Sequence, residues 1–208
     1  MTALSLPQGR RVVVARYGET PLEAIDQATS IEPMPAPDPA ALAPTDVLIA
    51  IKSAQVGWVD LLMTSGQYQH MPDPPYCPGL EYAGEVAWAG PEVTALRPGD
   101  PVLVDGFQAG PRSLGAYRQY GGFATYGVAP ASAVLKVPGT LTLDEAACLL
   151  GNYETAYHCL VTRGQLKEER PSSSAPPAPP ASPPSTSPKL LLGAKVIATG
   201  APTRSSQG

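Results

Sequence analysis

The side chains in this sequence with the strongest metal-binding chemistry are two histidines and three cysteines. They are His70, His158, Cys77, Cys148 and Cys159. Imidazole and thiolate are the ligands that zinc prefers, and a catalytic zinc needs three such ligands around an open position. His158 and Cys159 are adjacent on a predicted helix and point about 100° apart, so one ion would reach both only with strain. We therefore expect no metal site.

Composition and charge exclude several further classes of function. The three cysteines are odd in number and unevenly spaced, which argues against a disulfide framework and for a reducing, cytoplasmic compartment. A net charge of −4 gives no basic surface for nucleic acid. No apolar run reaches the ~20 residues of a membrane span, and no secretory signal is visible. We therefore expect a cytoplasmic protein with neither nucleic-acid nor membrane partners.

The elements that must position any site are mostly short strands. Between Arg11 and Pro138, apolar runs alternate with glycine and proline turns, which is typical of a barrel or sandwich. Strands are predicted at 11–15, 47–56, 81–89, 101–104, 123–128 and 134–137. The run 47–56 is apolar on both sides, so this strand should be covered on both faces.

Two helices are predicted among these strands. The segment 58–64 is apolar and has no helix-breaking residue before Gly66. A second helix is predicted over 142–161, where Thr142 and Glu145 have the spacing of a capping box. Gly151 interrupts this helix and indicates a kink or a close approach.

The chain changes character after Arg170. Residues 171–188 are only Pro, Ser, Ala and Thr, so they have no large side chain to bury and should be disordered. Residues 190–199 then resemble a helix end, a glycine stop and a strand. We expect four segments: a domain over 1–140, a connecting helix over 141–168, a linker over 169–189 and a remnant over 190–208. A proline-rich ligand for SH3-like domains at 176–184 is disfavoured because flanking basic residues are absent.

Five stretches, in this order and spacing, resemble the medium-chain dehydrogenase/reductase superfamily. They are residues 47–68, which end in Ser65-Gly66-Gln67-Tyr68; residues 78–86, which begin with Pro78-Gly79-Leu80-Glu81; residues 97–102, which contain Pro98-Gly99-Asp100; residues 121–126, which begin with Gly121-Gly122-Phe123-Ala124; and the helix segment 145–157. The resemblance is to the zinc-independent, quinone oxidoreductase-like (zeta-crystallin-like) branch. It implies a mainly β, GroES-like partial barrel with a few helices, followed here by the Pro/Ser-rich segment and a remnant of a Rossmann α/β domain.

The resemblance also implies site residues. Tyr68 matches a tyrosine near the substrate and Asp60 an aspartate of the family's helix, so both are candidate catalytic residues. Tyr68 could instead pack on a proline loop, and Asp60 could be a solvated residue or a local cap. Thr155 matches a threonine that faces nicotinamide and Asn152 lies one turn away, so both are candidate cofactor-binding residues. A plain helix stripe is the alternative.

Two departures from the family pattern concern the same site. Gly57 stands where the family often has asparagine, and Leu62 where it has tyrosine. Both family residues would help to hold substrate or nicotinamide, so the specificity of this chain is open.

The resemblance implies an NADPH-dependent enzyme that reduces quinones or enone and enal carbonyl compounds by hydride transfer. The chain carries no GxGxxG motif, because Leu166 to Arg170 run straight into the Pro/Ser-rich segment. We therefore expect this chain, truncated within the nucleotide domain, to bind no NADPH. The explanations left open are a gene-model error, a truncated isoform and a non-catalytic GroES-like binding module. An uncovered barrel face would favour self-association.

Overall fold

The computed structural model describes residues 6–113, 115–165, 172–174 and 196–198. The chain divides into two compact units, of which the first ends at Cys148 and the second begins at Leu149. No described helix is both long and apolar enough to cross a membrane. The mainly β fold expected from the sequence is confirmed.

The first unit is built on a five-stranded antiparallel sheet with the strand order β6-β3-β4-β5-β7. The strands are β3 (Asp46–Ala54), β4 (Tyr82–Ala89), β5 (Pro101–Val104), β6 (Tyr126–Pro130) and β7 (Val134–Lys136). Strand β3 is the longest and pairs with β4 on one side and β6 on the other. All five strands lie within or close to the runs that the alternating pattern predicts.

The core lies on both faces of β3. Val47 and Ile49 pack in a cluster with Tyr82 and residues of β5, while Leu48 packs in a second cluster with Tyr126. All three β3 side chains are completely buried. The prediction of a strand covered on both faces is confirmed.

A separate hairpin precedes this sheet. Strand β1 (Gly9–Val14) pairs antiparallel with β2 (Thr29–Met34), and the connection contains the short helix α1 (Pro21–Glu23) and a wider helical turn (Ala24–Ala28). Sequence analysis missed β2 because it lacks apolar alternation and contains Pro33. A proline donates no ladder hydrogen bond and is tolerated only on an edge strand, where β2 lies.

Two further helices of the first unit lie at its loops. Helix α2 (Trp58–Thr64) has the predicted bounds. Helix α3 (Leu143–Ala147) begins at the predicted capping box: the Thr142 N–H donates to Glu145 Oε2 at 2.8 Å, and the Glu145 N–H donates to Thr142 Oγ1 at 3.2 Å. The capping prediction is confirmed, but α3 is shorter than expected. Its C-cap is Cys148, whose N–H bonds back to carbonyls of α3.

The second unit contains helical turns and one strand pair. Its turns are Leu150–Glu154, helix α4 (Thr155–Tyr157) and His158–Arg163, and the first and last have the wide π-helical spacing. Strands β8 (Ser172–Ser174) and β9 (Val196–Ala198) pair in parallel. Strand β9 lies in the predicted strand of the Rossmann remnant. Strand β8 lies within the segment expected to be disordered, whose other residues are outside the described ones.

Candidate active site

Asp60 lies in the first turn of α2 and joins two segments that are distant in sequence. Its side chain is buried, with 6% of the residue exposed. Oδ2 accepts the Gly57 N–H at 3.0 Å, and Oδ1 accepts the N–H groups of Gly79 and Leu80, both at 3.1 Å. The carboxylate therefore fixes the start of α2 to the loop that leads into β4.

The electrostatics of Asp60 combine opposing influences. Burial raises the pKa of its carboxyl group above the ordinary value, while the three backbone N–H groups and the nearby Arg112 act to lower it. Both oxygens accept hydrogen bonds from the backbone. These backbone contacts are those of a local cap at the start of α2, which is one of the alternatives given above for Asp60.

Glycine is required where the Asp60-bound loop meets the Gly121-Gly122 stretch. Gly79 has φ +105°, and a Cβ there would lie 2.5 Å from the Phe123 nitrogen and 2.6 Å from the Gly122 nitrogen. The two backbones also bond directly, because the Gly122 N–H donates to the Gly79 carbonyl at 2.8 Å. Two stretches that carry the family resemblance are therefore packed backbone to backbone.

Tyr68 lies on the turn that follows α2. It is half-buried, and its ring meets the His70 ring edge-to-face with 6.5 Å between centroids. Gly66 opens the same turn with φ +71° and lies against the Tyr17 ring. The Tyr17 hydroxyl donates to the Pro72 carbonyl at 2.6 Å. Tyr68 thus stands on a turn that packs against Tyr17, a residue of the loop after β1 that is itself bonded to the proline loop.

A loop after β5 lies beside Asp60 and was missed by sequence reasoning. Asp105 anchors it: Oδ1 accepts the Phe107 N–H and Oδ2 accepts the Gln108 side-chain amide, both at 2.8 Å. A Cβ on Gly106 would lie 2.3 Å from the Leu80 carbonyl oxygen, so the loop packs on a residue that Asp60 holds.

The same loop presents an aromatic ring and a cation. Phe107 is 67% exposed, and Cζ of the half-buried Arg112 lies 4.6 Å from the centroid of its ring. This distance is that of a cation–π contact. The sequence signal that could have indicated this loop is an aromatic residue and an arginine among small residues, directly after a buried strand.

The candidate cofactor-binding residues belong to the second unit. Asn152 lies in the first helical turn and Thr155 begins α4, and both are exposed. Holding a dinucleotide requires a strand that leads through a glycine-rich turn into a helix, whose N–H groups meet the diphosphate. The described residues contain no such arrangement.

The candidate metal ligands are scattered. Among the side chains that the structure describes, no three His, Cys, Asp or Glu residues form a group that could hold a metal ion. Cys77 is buried, and burial raises the pKa of its thiol to about 11. Its thiol is therefore protonated at neutral pH.

Comparison with known proteins finds similarity within the first unit. The alcohol dehydrogenase GroES-like domain matches residues 43–139. The quinone oxidoreductase-like protein 2 homolog of Nematostella vectensis is 36% identical over 126 residues, which are 61% of this chain and 32% of that protein. The quinone oxidoreductase of Lama guanicoe is 34% identical over 115 residues, which are 55% of this chain and 32% of that protein.

Solved structures extend the similarity. A probable oxidoreductase from Mycobacterium abscessus has a TM-score of 0.71 at 27% identity, covering 92% of this chain and 55% of that one. A mycobacterial protein solved in complex with NADPH has a TM-score of 0.70 at 25% identity, covering 94% of this chain and 54% of that one. The matched region is thus about a third of the curated relatives' length and about half of the solved chains.

The five sequence stretches, the antiparallel sheet and these similarities agree. Residues 43–139 match the alcohol dehydrogenase GroES-like domain, and the chain is similar to quinone oxidoreductase-like proteins over the matched regions.

Proposed function

We propose that this chain carries the acceptor-binding domain of an NADPH-dependent oxidoreductase that reduces quinones or enone and enal carbonyl compounds. The observation that carries the proposal is the meeting of three family stretches at one place. Asp60 of the first stretch bonds Gly79 and Leu80 of the second, and Gly122 of the fourth bonds Gly79. Relatives named quinone oxidoreductase support the acceptor class.

The proposed roles of the site residues follow from their contacts. Tyr68, on its fastened turn, donates its hydroxyl to the oxygen of the acceptor, where negative charge develops. Asp60 acts as a positioning residue, because both of its oxygens already accept backbone N–H groups. It fixes the start of α2, where Trp58 is 63% exposed.

The proposed cofactor contacts belong to the complete family fold. NADPH supplies the hydride when it is bound, and Thr155 and Asn152 are the residues of this chain that we assign to its nicotinamide end. Both residues are exposed. Because the sequence carries no GxGxxG motif, we propose that the 208-residue chain alone binds NADPH negligibly.

Tryptophan fluorescence tests both parts of this proposal. Titration with 1,4-naphthoquinone should quench the emission saturably, and titration with NADPH at micromolar concentration should not. The chain has two tryptophans, so Trp58→Phe and Trp88→Phe are matched variants. Trp58 is exposed beside the proposed site and Trp88 lies in β4, so the quinone signal should disappear in Trp58→Phe and persist in Trp88→Phe.

Two results would change the proposal in different ways. Saturable binding of NADPH would refute the argument about the missing cradle. Absence of saturable quinone quenching would favour the other candidate, a GroES-like module that binds a partner without catalysis.

A further inference from the structure

The loop after β5 carries Arg112, a cation whose hydrogen-bond donors are only partly used by its surroundings. Nε of Arg112 is buried and has no hydrogen-bond partner. In the described part of the chain, no carboxylate forms an ion pair with this guanidinium. Buried polar groups are nearly always hydrogen-bonded, so each exception requires an explanation, such as a role in binding.

Among the described residues, three other buried side-chain atoms also lack partners, but a ligand reaches them less easily. The Tyr82 hydroxyl lies inside the core of the sheet and the Tyr76 hydroxyl belongs to a residue that is 4% exposed. Arg11 has a buried Nε, but its NH2 group already forms an ion pair with Glu32 at 3.7 Å. Arg112 is half-buried, and its contact is a ring that faces solvent.

Apolar side chains are exposed on the segments that contact Leu80. Three large apolar side chains are exposed on the two segments tied to Leu80, namely the start of α2 and the loop after β5. They are Val56 at 79%, Trp58 at 63% and Phe107 at 67%. Isolated exposed apolar residues are common, but these flank the Asp60 contact and the Gly106 contact.

The loop is held before any ligand arrives. Asp105 bonds both the Phe107 backbone and the Gln108 side chain, and the Ser113 hydroxyl donates to the Gly110 carbonyl at 2.8 Å. Ala109, between these bonds, is completely buried. An anchored loop loses less entropy on binding than a free one, so Arg112 is presented in a fixed place.

We infer that Arg112 is a specificity-determining residue that donates to an oxygen of a flat, conjugated acceptor whose ring lies on Phe107. The inference rests on the proposed function, because it assigns a group to the acceptor site proposed above. A guanidinium hydrogen bond to a carbonyl or enolate oxygen is charge-assisted and stronger than a neutral one. Acceptors with an oxygen on an aromatic or quinonoid ring are therefore favoured over simple aliphatic aldehydes.

Direct binding to the full chain tests the inference, with 1,4-naphthoquinone and naphthalene as probes that differ by two ring oxygens. Arg112→Met removes the cation and the donors but keeps an apolar side chain, and it should weaken quinone binding at least tenfold and leave naphthalene binding unchanged. Arg112→Lys keeps a charge without the planar fork and should fall between the two. Phe107→Leu should weaken both probes by similar factors.

Arg97→Met is the matched control, because Arg97 is exposed on the turn that precedes β5, at the opposite end of the strand from Asp105. It should bind both probes like the unmodified chain. Undiminished quinone binding by Arg112→Met would overturn the assignment of Arg112 and leave the proposed function standing. No saturable quinone binding by the unmodified chain would overturn both.

Discussion

Asp60 and Arg112 are neighbouring polar side chains of the first unit that differ in how fully they are hydrogen-bonded. Asp60 is a buried carboxylate that accepts three backbone N–H groups. Arg112 lies close enough to influence that carboxylate, yet its own buried Nε has no partner. Both belong to segments that contact Leu80.

The difference separates a structural role from a binding role. A buried group whose bonds are all made within the protein stabilises one arrangement of the chain, and removing it leaves other groups without partners. A buried donor without a partner costs free energy of folding, and a role in binding is one explanation for keeping it. Four predictions test this distinction, and the largest expected effect comes first.

The first prediction concerns the loop that Asp60 holds. Gly79→Ala should lower the free energy of unfolding by about 4 kcal/mol, as the sum of the strain of a side chain at positive φ and of overpacking. Gly99→Ala is the matched control: Gly99 has φ +89°, but a Cβ there would meet nothing within 4 Å, so only the strain of about 1 kcal/mol applies. Urea unfolding of both variants measures the difference. Equal losses would show that the close approach at Gly79 is unimportant.

The second prediction compares the two anchoring carboxylates. Asp60→Ala should lower the free energy of unfolding by about 3 kcal/mol, because three buried N–H groups lose a charged acceptor. Asp105→Ala should cost about 1 kcal/mol, because its two bonds lie at the exposed start of the loop and water can replace them. A larger loss at Asp105 than at Asp60 would reverse the comparison.

The third prediction uses pH. The folded-state pKa of Asp60 is raised by burial above its unfolded value, so its contribution to stability is fully present below the unfolded value and is lost as pH rises through the folded value. The stability of the unmodified chain relative to Asp60→Asn should therefore fall as pH increases from about 3, below the model-peptide pKa of an aspartate.

Glu145 provides an internal control of opposite sign. The Thr142 N–H and hydroxyl lower the pKa of its carboxyl group, so its contribution is present above the unfolded pKa and is lost as pH falls. Stability relative to Glu145→Gln should rise with pH over the acid range. The same slope for both substitutions, in chemical unfolding at several pH values, would contradict the assigned signs.

The strands of the sheet could be predicted from sequence because each is a short apolar run with turn residues at its ends. The run containing Val47 and Ile49 shows this most clearly, and helix α2 was equally readable. Strand β2 could not be predicted, because its partner β1 and its edge position tolerate a polar sequence with a proline. The break in the predicted helix at Cys148 depends on packing rather than on the helix propensity of the sequence.

Only part of the candidate site could be predicted from the sequence. Asp60 and Tyr68 could be selected by resemblance, but the contacts of Asp60 with Gly79 and Leu80 depend on segments about twenty residues apart meeting in space. The loop at Phe107 and Arg112 belongs to no stretch of the resemblance. Its position against Leu80 is set by tertiary packing, which no local sequence pattern predicts.

The smallest expected change in stability belongs to Arg112 and completes the comparison. Arg112→Met should leave the free energy of unfolding within about 1 kcal/mol of the unmodified chain, because it removes a donor that has no partner and keeps apolar contact with Phe107. Thermal and urea unfolding measure this in the same samples used for quinone binding. A loss close to that of Asp60→Ala would mean that Arg112 serves the fold. Unchanged stability together with lost quinone affinity would mean that the cation is kept for a ligand.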